Sequence, residues 1–253
     1  MENENRDRNI EIFDSYWKSG IELYESHPTS RHRRRFVNGC LMKKKQQKNP
    51  FVFDYGCGTG VVLREAKQLL GLDNSRLGGC DISPRSIELV RENLPGGSYH
   101  LGIYPQINEE IDIAVCSEVI EHTAEYRKVL EWISGNLKAG GLLILSTPRI
   151  PMDPPDEAYG HVQHFTLQEL CRMLEELDFS IESAREWGFP FFTLQKWVTR
   201  HFFRRITDSV LEKPMNWKKH LLFSVVYRFY FIHDLIPRGP QIFISARKKT
   251  RID

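Results

Sequence analysis

The 253-residue chain has no stretch of the ~20 predominantly apolar residues that a bilayer-spanning helix needs, so it reads as soluble or at most peripheral. It has no cysteine pattern either. Cys40, Cys57, Cys80, Cys116 and Cys171 are odd in number, scattered and without a C-x-x-C pair, which argues against a disulfide framework or a zinc cluster. The first residues, Met1 to Asp7, are polar and offer no apolar core for a secretion signal, so a reducing cytoplasm is the expected location. Overall charge is nearly balanced at +2, which hides a local excess: between residues 31 and 48 stand Arg31, Arg33, Arg34, Arg35, Lys43, Lys44, Lys45 and Lys48 with no acid among them. That segment is expected to be exposed, a solvated helix face before it is a phosphate, lipid or nucleic-acid contact.

Against these absences stands the run Phe51-Val52-Phe53-Asp54-Tyr55-Gly56-Cys57-Gly58-Thr59-Gly60, followed by helical apolar spacing from Val61 to Leu70. β-forming residues end in an acid and break into glycines at alternate positions, which predicts strand, tight turn and helix. Glycine lets the backbone approach a ligand with no Cβ in the way, and the helix amino end favours a nucleotide-like group. The third glycine comes two residues after the second, so the spacing departs from the dinucleotide fingerprint G-x-G-x-x-G and disfavours NAD or FAD. A second strand ends at Asp81, 27 positions beyond Asp54, where a nucleotide-binding α/β unit needs an acceptor for ribose hydroxyls. Ser83 and Pro84 then open a helix as N-cap and first helical residue.

Here the sequence resembles motif I of the class I S-adenosylmethionine-dependent methyltransferases, D-x-G-C-G-T-G. Two further stretches extend the likeness: S-E-V-I-E-H after the strand Ile111 to Ser117, similar to the ubiquinone-biosynthesis O-methyltransferases, and L-K-A-G-G-x-L-x-x-S-T-P around Leu137 to Pro148. H-V-Q-H-F-T-L-Q-E-L and W-G-F-P carry it to about residue 190. The resemblance implies an α/β fold: a Rossmann-like, seven-stranded, mostly parallel sheet with helices on both faces, plus N-terminal helices and a helical lid before the last strand. The expected division is a helical cap at 1–48, a cofactor-binding core at 49–188, a lid at 189–240 and the last strand with its tail at 241–253.

The implied cofactor is S-adenosyl-L-methionine. Its contacts would come from Asp54, Gly56, Cys57, Gly58, Gly60, Asp81, Ile82 against the adenine, and Ser117. Many relatives place an aspartate near Gly102 and Ile103; this chain has none, so the adenine-edge contact is left open. His122 is the candidate general base, since imidazole can take a proton near neutral pH, and Glu118 borders the reaction centre with it. No resident metal is assigned. Glu118, Glu121, His122, His161 and His164 form an alternative oxygen and nitrogen donor set, because the small-RNA 2′-O-methyltransferases resemble the E-x-x-E-H pattern, and a helical turn after the strand would place the two carboxylates on one face. His27, His32 and Arg33 are further candidates for the cleft lining.

Residues 1 to 9 read as frayed, Ile10 to Tyr24 and 30 to 45 as helices, and the proline-rich loop from Arg149 to Tyr159 as irregular and near the cleft. Between 189 and 240 nine Lys or Arg face three Asp or Glu among many aromatic residues, a lid that could touch a membrane surface or pair with a second subunit. The expected activity is O-methylation of a small-molecule, glycan or lipid-linked acceptor by a monomer or homodimer; a nucleic-acid partner is not expected. Metal-dependent ribose 2′-O-methylation of RNA and a non-catalytic cofactor-binding module are the alternatives, and an NAD-dependent oxidoreductase ranks last.

Overall fold

The computed structural model describes residues 2–206 and 215–250. Parts of the expected lid and tail, 207–214 and 251–253, lie outside these described residues.

Four short parallel strands form one half of the sheet: β1 (Val52–Tyr55), β2 (Leu77–Asp81), β3 (Ser98–Leu101) and β4 (Ile111–Ser117). β5 (Leu137–Pro148) follows parallel to β4, and β6 (Phe179–Trp187) and β7 (Gln241–Lys248) complete the order β3-β2-β1-β4-β5-β7-β6. β7 alone runs antiparallel to its neighbours. The expected seven-stranded mixed sheet is therefore present. All four residues of β1 are buried, as a central parallel strand covered on both faces requires.

One face is covered by α3 (Pro28–Met42), α4 (Val61–Leu70) and α5 (Pro84–Asn93), whose Val37, Leu41, Leu63 and Val90 pack on Val52, Ile113 and Ile144. The other face carries α6 (Tyr126–Asn136) and α8 (Leu167–Glu176), whose Val129, Leu130, Ile133, Leu170 and Leu174 meet Phe53, Ala114 and Leu143. α8 opens with a capping box: the Thr166 hydroxyl accepts from the Glu169 N–H at 3.1 Å and the Glu169 carboxylate accepts from the Thr166 N–H at 3.5 Å. Thr166→Ala is expected to lower unfolding stability by about 1 kcal/mol, read from the shift of a urea denaturation midpoint.

Four local features differ from the sequence reading. Residues 2 to 9 are not frayed: α1 runs Glu2–Ser19, and its Asn9 side chain is buried and donates to the His122 carbonyl at 3.0 Å. A six-residue helix, α2 (Ile21–Ser26), joins α1 to α3. β5 starts at Leu137 rather than Leu142, because Leu137 already pairs with Ile111 before a bulge, so the glycines at 140 and 141 lie inside the strand. In the proline-rich loop Pro154–Ala158 forms a short helix, α7. α9 (Phe191–Ile206) and α10 (Trp217–Phe229) stand between β6 and β7, with a kink in α9 at Phe202.

Candidate active site

The register of β1 with its neighbours sets Tyr55 beside Cys80 and Cys116, so the carboxyl ends of β1, β2 and β4 open side by side. Ligands of open α/β sheets lie at this edge. A cleft of about 2190 Å³ is found here, lined by Gly56, Gly58, Asp81, Ile82, Ser117 and His122 among others. Single-ligand pockets are roughly 300–1,000 Å³, so the space suits a cofactor together with a sizeable second molecule.

The glycine loop and Asp81 form one unit. The Gly58 N–H donates to Asp81 Oδ2 and the Ser83 N–H to Oδ1, both at 2.9 Å, which fixes the carboxylate at the cleft edge. Burial raises the Asp81 carboxyl from its ordinary value, against these hydrogen bonds. The Tyr55 hydroxyl donates to the Ile103 carbonyl at 2.6 Å and shapes the wall where an adenine contact was left open; Gly102 and Ile103 line the cleft. α1 roofs the loop. The Trp17 ring lies where a Gly58 side chain would begin, 3.0 Å from an added Cβ, and Asp14 accepts from the Ser83 hydroxyl and from the Arg85 N–H. These surroundings fit S-adenosylmethionine: glycine backbone open to the cleft, a carboxylate held for a diol, and an aromatic cover.

Other expected contacts sit differently. Asp54 is 3 % exposed and lies beneath the cleft rather than along it; burial, then the Asp81 charge, push its carboxyl well above the usual range. Cys57 is buried against Gly79, and Gly60 packs under Val90 and Leu94 as the N-cap of α4, so both shape the loop without lining the cleft.

At the end of β4 the chain turns sharply. Glu118 has φ 59°, a left-handed conformation that a non-glycine residue keeps only when its surroundings hold it. Its carboxylate accepts from Ser146 at 2.9 Å and from Gln241 at 2.7 Å, and pairs with the Arg33 guanidinium at 3.2 Å. The turn after it is a 3₁₀ segment, Ile120–His122, so Glu118 does not share a helical face with Glu121 and His122. The donor cluster is instead Glu121, His122 and His161, with ligand atoms within 4.8 Å of one another, and Asp156, His161 and His164 form an overlapping second cluster. His161 Nδ1 lies 2.8 Å from His164 Nε2. His164 does not line the cleft. Glu121 is fully buried; Thr147 donates to its Oε2 at 3.0 Å, while Oε1 and the Nδ1 of His122 are buried without a hydrogen-bond partner. Burial first, then the neighbouring Glu118, raise the Glu121 carboxyl well above the usual range.

His122 packs edge-on against Phe13 and His161, and burial lowers it to about 4, so the ring is neutral at pH 7. Below the ordinary histidine value the unfolded chain takes up a proton that the folded chain refuses. Stability drawn from this site is therefore complete above pH 6.5 and falls as pH drops towards 4. The stability difference between wild type and His122→Asn, measured by urea denaturation at a series of pH values, is expected to shrink by about 1.4 kcal/mol per pH unit through that window.

The arginines of the basic segment are not a free surface. Arg34 is 8 % exposed and donates to Glu65 at 2.9 Å, Arg33 holds Glu118, Arg35 pairs with Asp234, and Arg31 lies 3.9 Å over the Tyr227 ring. The sequence places these charges on α3 but cannot show that α4, the end of β4, α10 and the turn after α10 supply partners. His27 and Arg33 line the cleft; His32 is instead stacked at 3.6 Å on Trp187 in the core. Trp17, Tyr55, Asp14 and Gln241 were not anticipated as site residues, and no local motif marks them.

A methyltransferase domain family model matches residues 30–184. Among curated proteins, the ubiquinone biosynthesis O-methyltransferase of Glaesserella parasuis is 30% identical over 125 residues, 44% of this chain and 48% of that protein. This chain thus spans about half the length of the curated relatives it matches. Among solved structures, an S-adenosylmethionine-dependent methyltransferase from Mesorhizobium loti aligns at TM-score 0.54 and 17% identity over 84% of this chain and 98% of that one. Phosphoethanolamine N-methyltransferase 2 of Haemonchus contortus, in complex with S-adenosyl-L-methionine, aligns at 0.55 and 14%, over 94% and 60%. The structural likenesses speak for the fold, and the family match speaks for descent: the chain belongs to the class I S-adenosylmethionine-dependent methyltransferases.

Proposed function

We propose that this protein transfers the methyl group of S-adenosylmethionine to an oxygen of a small-molecule, glycan or lipid-linked acceptor, working in the cytoplasm. The observation that carries the reading is the Asp81 carboxylate, fixed by the Gly58 and Ser83 N–H groups at a cleft that also reaches His122. Asp81 would accept the ribose hydroxyls, Gly56 and Gly58 would pass close to the amino-acid part, Ile82 would face the adenine, and Ser117 would sit at the reacting end. Asp54, Cys57 and Gly60 would act from beneath by holding the loop. The bound cofactor supplies an electrophilic methyl group. The chain aligns the acceptor with it, and alignment alone can supply much of the rate. Trp17 packs over the glycine loop, Asp14 ties α1 to Ser83, and this cover would shield the bound cofactor from water. His122, neutral at pH 7, would accept a hydrogen bond from the acceptor hydroxyl, and Glu118, anchored by three partners, would hold Arg33 at the cleft wall. The 1–48 cap and the 189–240 lid would bound the acceptor side. With Arg31, Arg33, Arg34 and Arg35 engaged internally, nucleic acid is not the proposed acceptor. Incubation with labelled S-adenosylmethionine and a panel of hydroxylated metabolites, glycans and amphiphiles tests this: label should appear in an alcohol or phenol, and transfer to RNA alone would overturn the choice of acceptor.

A second reading rests on Glu121, His122 and His161. Leaving Glu121 Oε1 and His122 Nδ1 unpaired costs about 1–3 kcal/mol each, and a divalent ion held by this cluster would offset part of that cost. Imidazole and carboxylate donors suit a transition-metal ion, which would act as a Lewis acid on an acceptor oxygen. Zinc or manganese should then raise the melting temperature of the wild type by several degrees and leave His161→Ala unmoved. Equal shifts in both proteins, or none in either, would remove the metal.

A further inference from the structure

The surface between Phe189 and Leu235 is unlike the rest of the molecule. Of the seventeen large hydrophobic residues that are exposed among the described residues, twelve lie there. On α10, Trp217, Leu221, Val225 and Phe229 follow one another at intervals of four and form a single stripe, exposed by 70, 58, 43 and 50 %. Ile232 and Leu235, the latter 81 % exposed, continue it past the helix end. The opposite side of α10 is apolar as well: Phe223 is buried, and Val226 packs against the core. One side of the helix is thus satisfied by the protein, while Trp217, Leu221 and Val225 on the other side point outward; Phe229, at the end of the stripe, also meets Phe191 at 5.6 Å.

The charges identify what suits it. From Trp217 to Phe229 there is no acid, while Lys218, Lys219 and Arg228 stand at the two ends. Lysines in the first turn oppose the helix dipole and gain little from the helix itself. They suit an anionic layer met by that end. Tryptophan beside lysine, with aliphatic residues along the same stripe, is the chemistry of a helix lying in a bilayer interface, indole at headgroup depth and cations at lipid phosphates. Thirteen residues cannot cross a membrane, and no helix of the described residues is long and apolar enough to do so. The next turns of the same elements, Leu222 and Phe229 on α10 with Leu194 and Val198 on α9, line the apolar arm of the active-site cleft, so this face adjoins its opening.

We propose that the outer face of α10, from Trp217 to Leu235, seats the protein on an anionic bilayer surface. Docking of this kind requires neither cofactor nor methyl acceptor, so its failure would not bear on the methyl-transfer reading.

The test is co-sedimentation of the full chain with vesicles of phosphatidylcholine alone or mixed with phosphatidylglycerol. Binding to the anionic vesicles should be at least tenfold tighter than to the neutral ones and should weaken as salt screens it. Leu221→Glu with Val225→Glu places charge on the stripe at positions that do not line the cleft. It should reduce vesicle binding at least tenfold while S-adenosylhomocysteine affinity, the control for folding, stays at the wild-type value. Lys218→Glu with Arg228→Glu should abolish the preference for phosphatidylglycerol. Absence of vesicle binding, or variants that bind as the wild type does, would overturn the proposal. So would a wild-type dimer that the Leu221 and Val225 substitutions split without any vesicle binding, which would assign the face to a second copy of the chain.

Discussion

Asp81→Ala should weaken S-adenosylhomocysteine binding by about 100-fold. Hydrogen bonds to a charged acceptor contribute about 1.5–3 kcal/mol each, and removing an acceptor for a diol forfeits about two of the weaker kind. The same carboxylate accepts from the Gly58 and Ser83 N–H groups, so part of the loss would come from a loosened glycine loop. Asp81→Asn separates the two effects in part: its single amide oxygen can accept from only one of the two loop N–H groups, which use different carboxylate oxygens, and its charge is gone, so binding should fall by at least about tenfold with a smaller loss of melting temperature than in Asp81→Ala. Burial works against the charged form of Asp81, so neither substitution should unfold the protein. Calorimetric titration reads both variants. Wild-type affinity in Asp81→Ala would remove Asp81 from the cofactor site.

Gly56→Ala is expected to destabilise the fold by about 2–5 kcal/mol. Gly56 has φ 81°, and a Cβ built there would stand 2.4 Å from Cγ2 of Val119. The left-handed conformation alone costs roughly 1–2 kcal/mol for an L-residue, and forcing a methyl into a packed position adds roughly 1–3. Gly71→Ala is the control, because Gly71 has φ 68° with nothing within 4 Å of its added Cβ. It should carry the conformational part only, about 1 kcal/mol. A urea denaturation series that found the two variants equal would show that Val119 yields without cost. Val119 leads into the 3₁₀ turn that ends at His122, so Gly56→Ala should also disturb the acceptor side and reduce turnover beyond the loss of stability.

The glycine turn, Asp81 and the strand ends were legible because each is written locally. A strand that ends in an acid and breaks into glycines has few other solutions, and helix α4 occupies the expected Val61–Leu70. Ser83 caps α5 as its sequence suggests, accepting from the Ser86 N–H at 3.0 Å. What sequence could not deliver was contact across distance. The polar start of α1 carries no periodic apolar signal before Ile10, yet Asn9 reaches the His122 carbonyl and Trp17 covers Gly58. The arginines of α3 look like a solvated face until their acids, Glu65, Glu118 and Asp234, arrive from elsewhere in the chain. Glu118 misled most, since E-x-x-E-H reads as a helical pattern. The left-handed turn at Glu118 breaks that pattern, sends its carboxylate to Arg33 and Gln241, and leaves Glu121 and His122 to gather with His161.

The most direct test of the account is calorimetric titration of the purified protein with S-adenosylhomocysteine. The fixed carboxylate, the open glycine backbone and the aromatic cover predict one saturable site per chain with affinity in the micromolar range or tighter, unaffected by nicotinamide dinucleotides. No heat of binding to S-adenosylhomocysteine, in a protein that melts cooperatively, would contradict the cofactor assignment and with it the proposed methyl transfer.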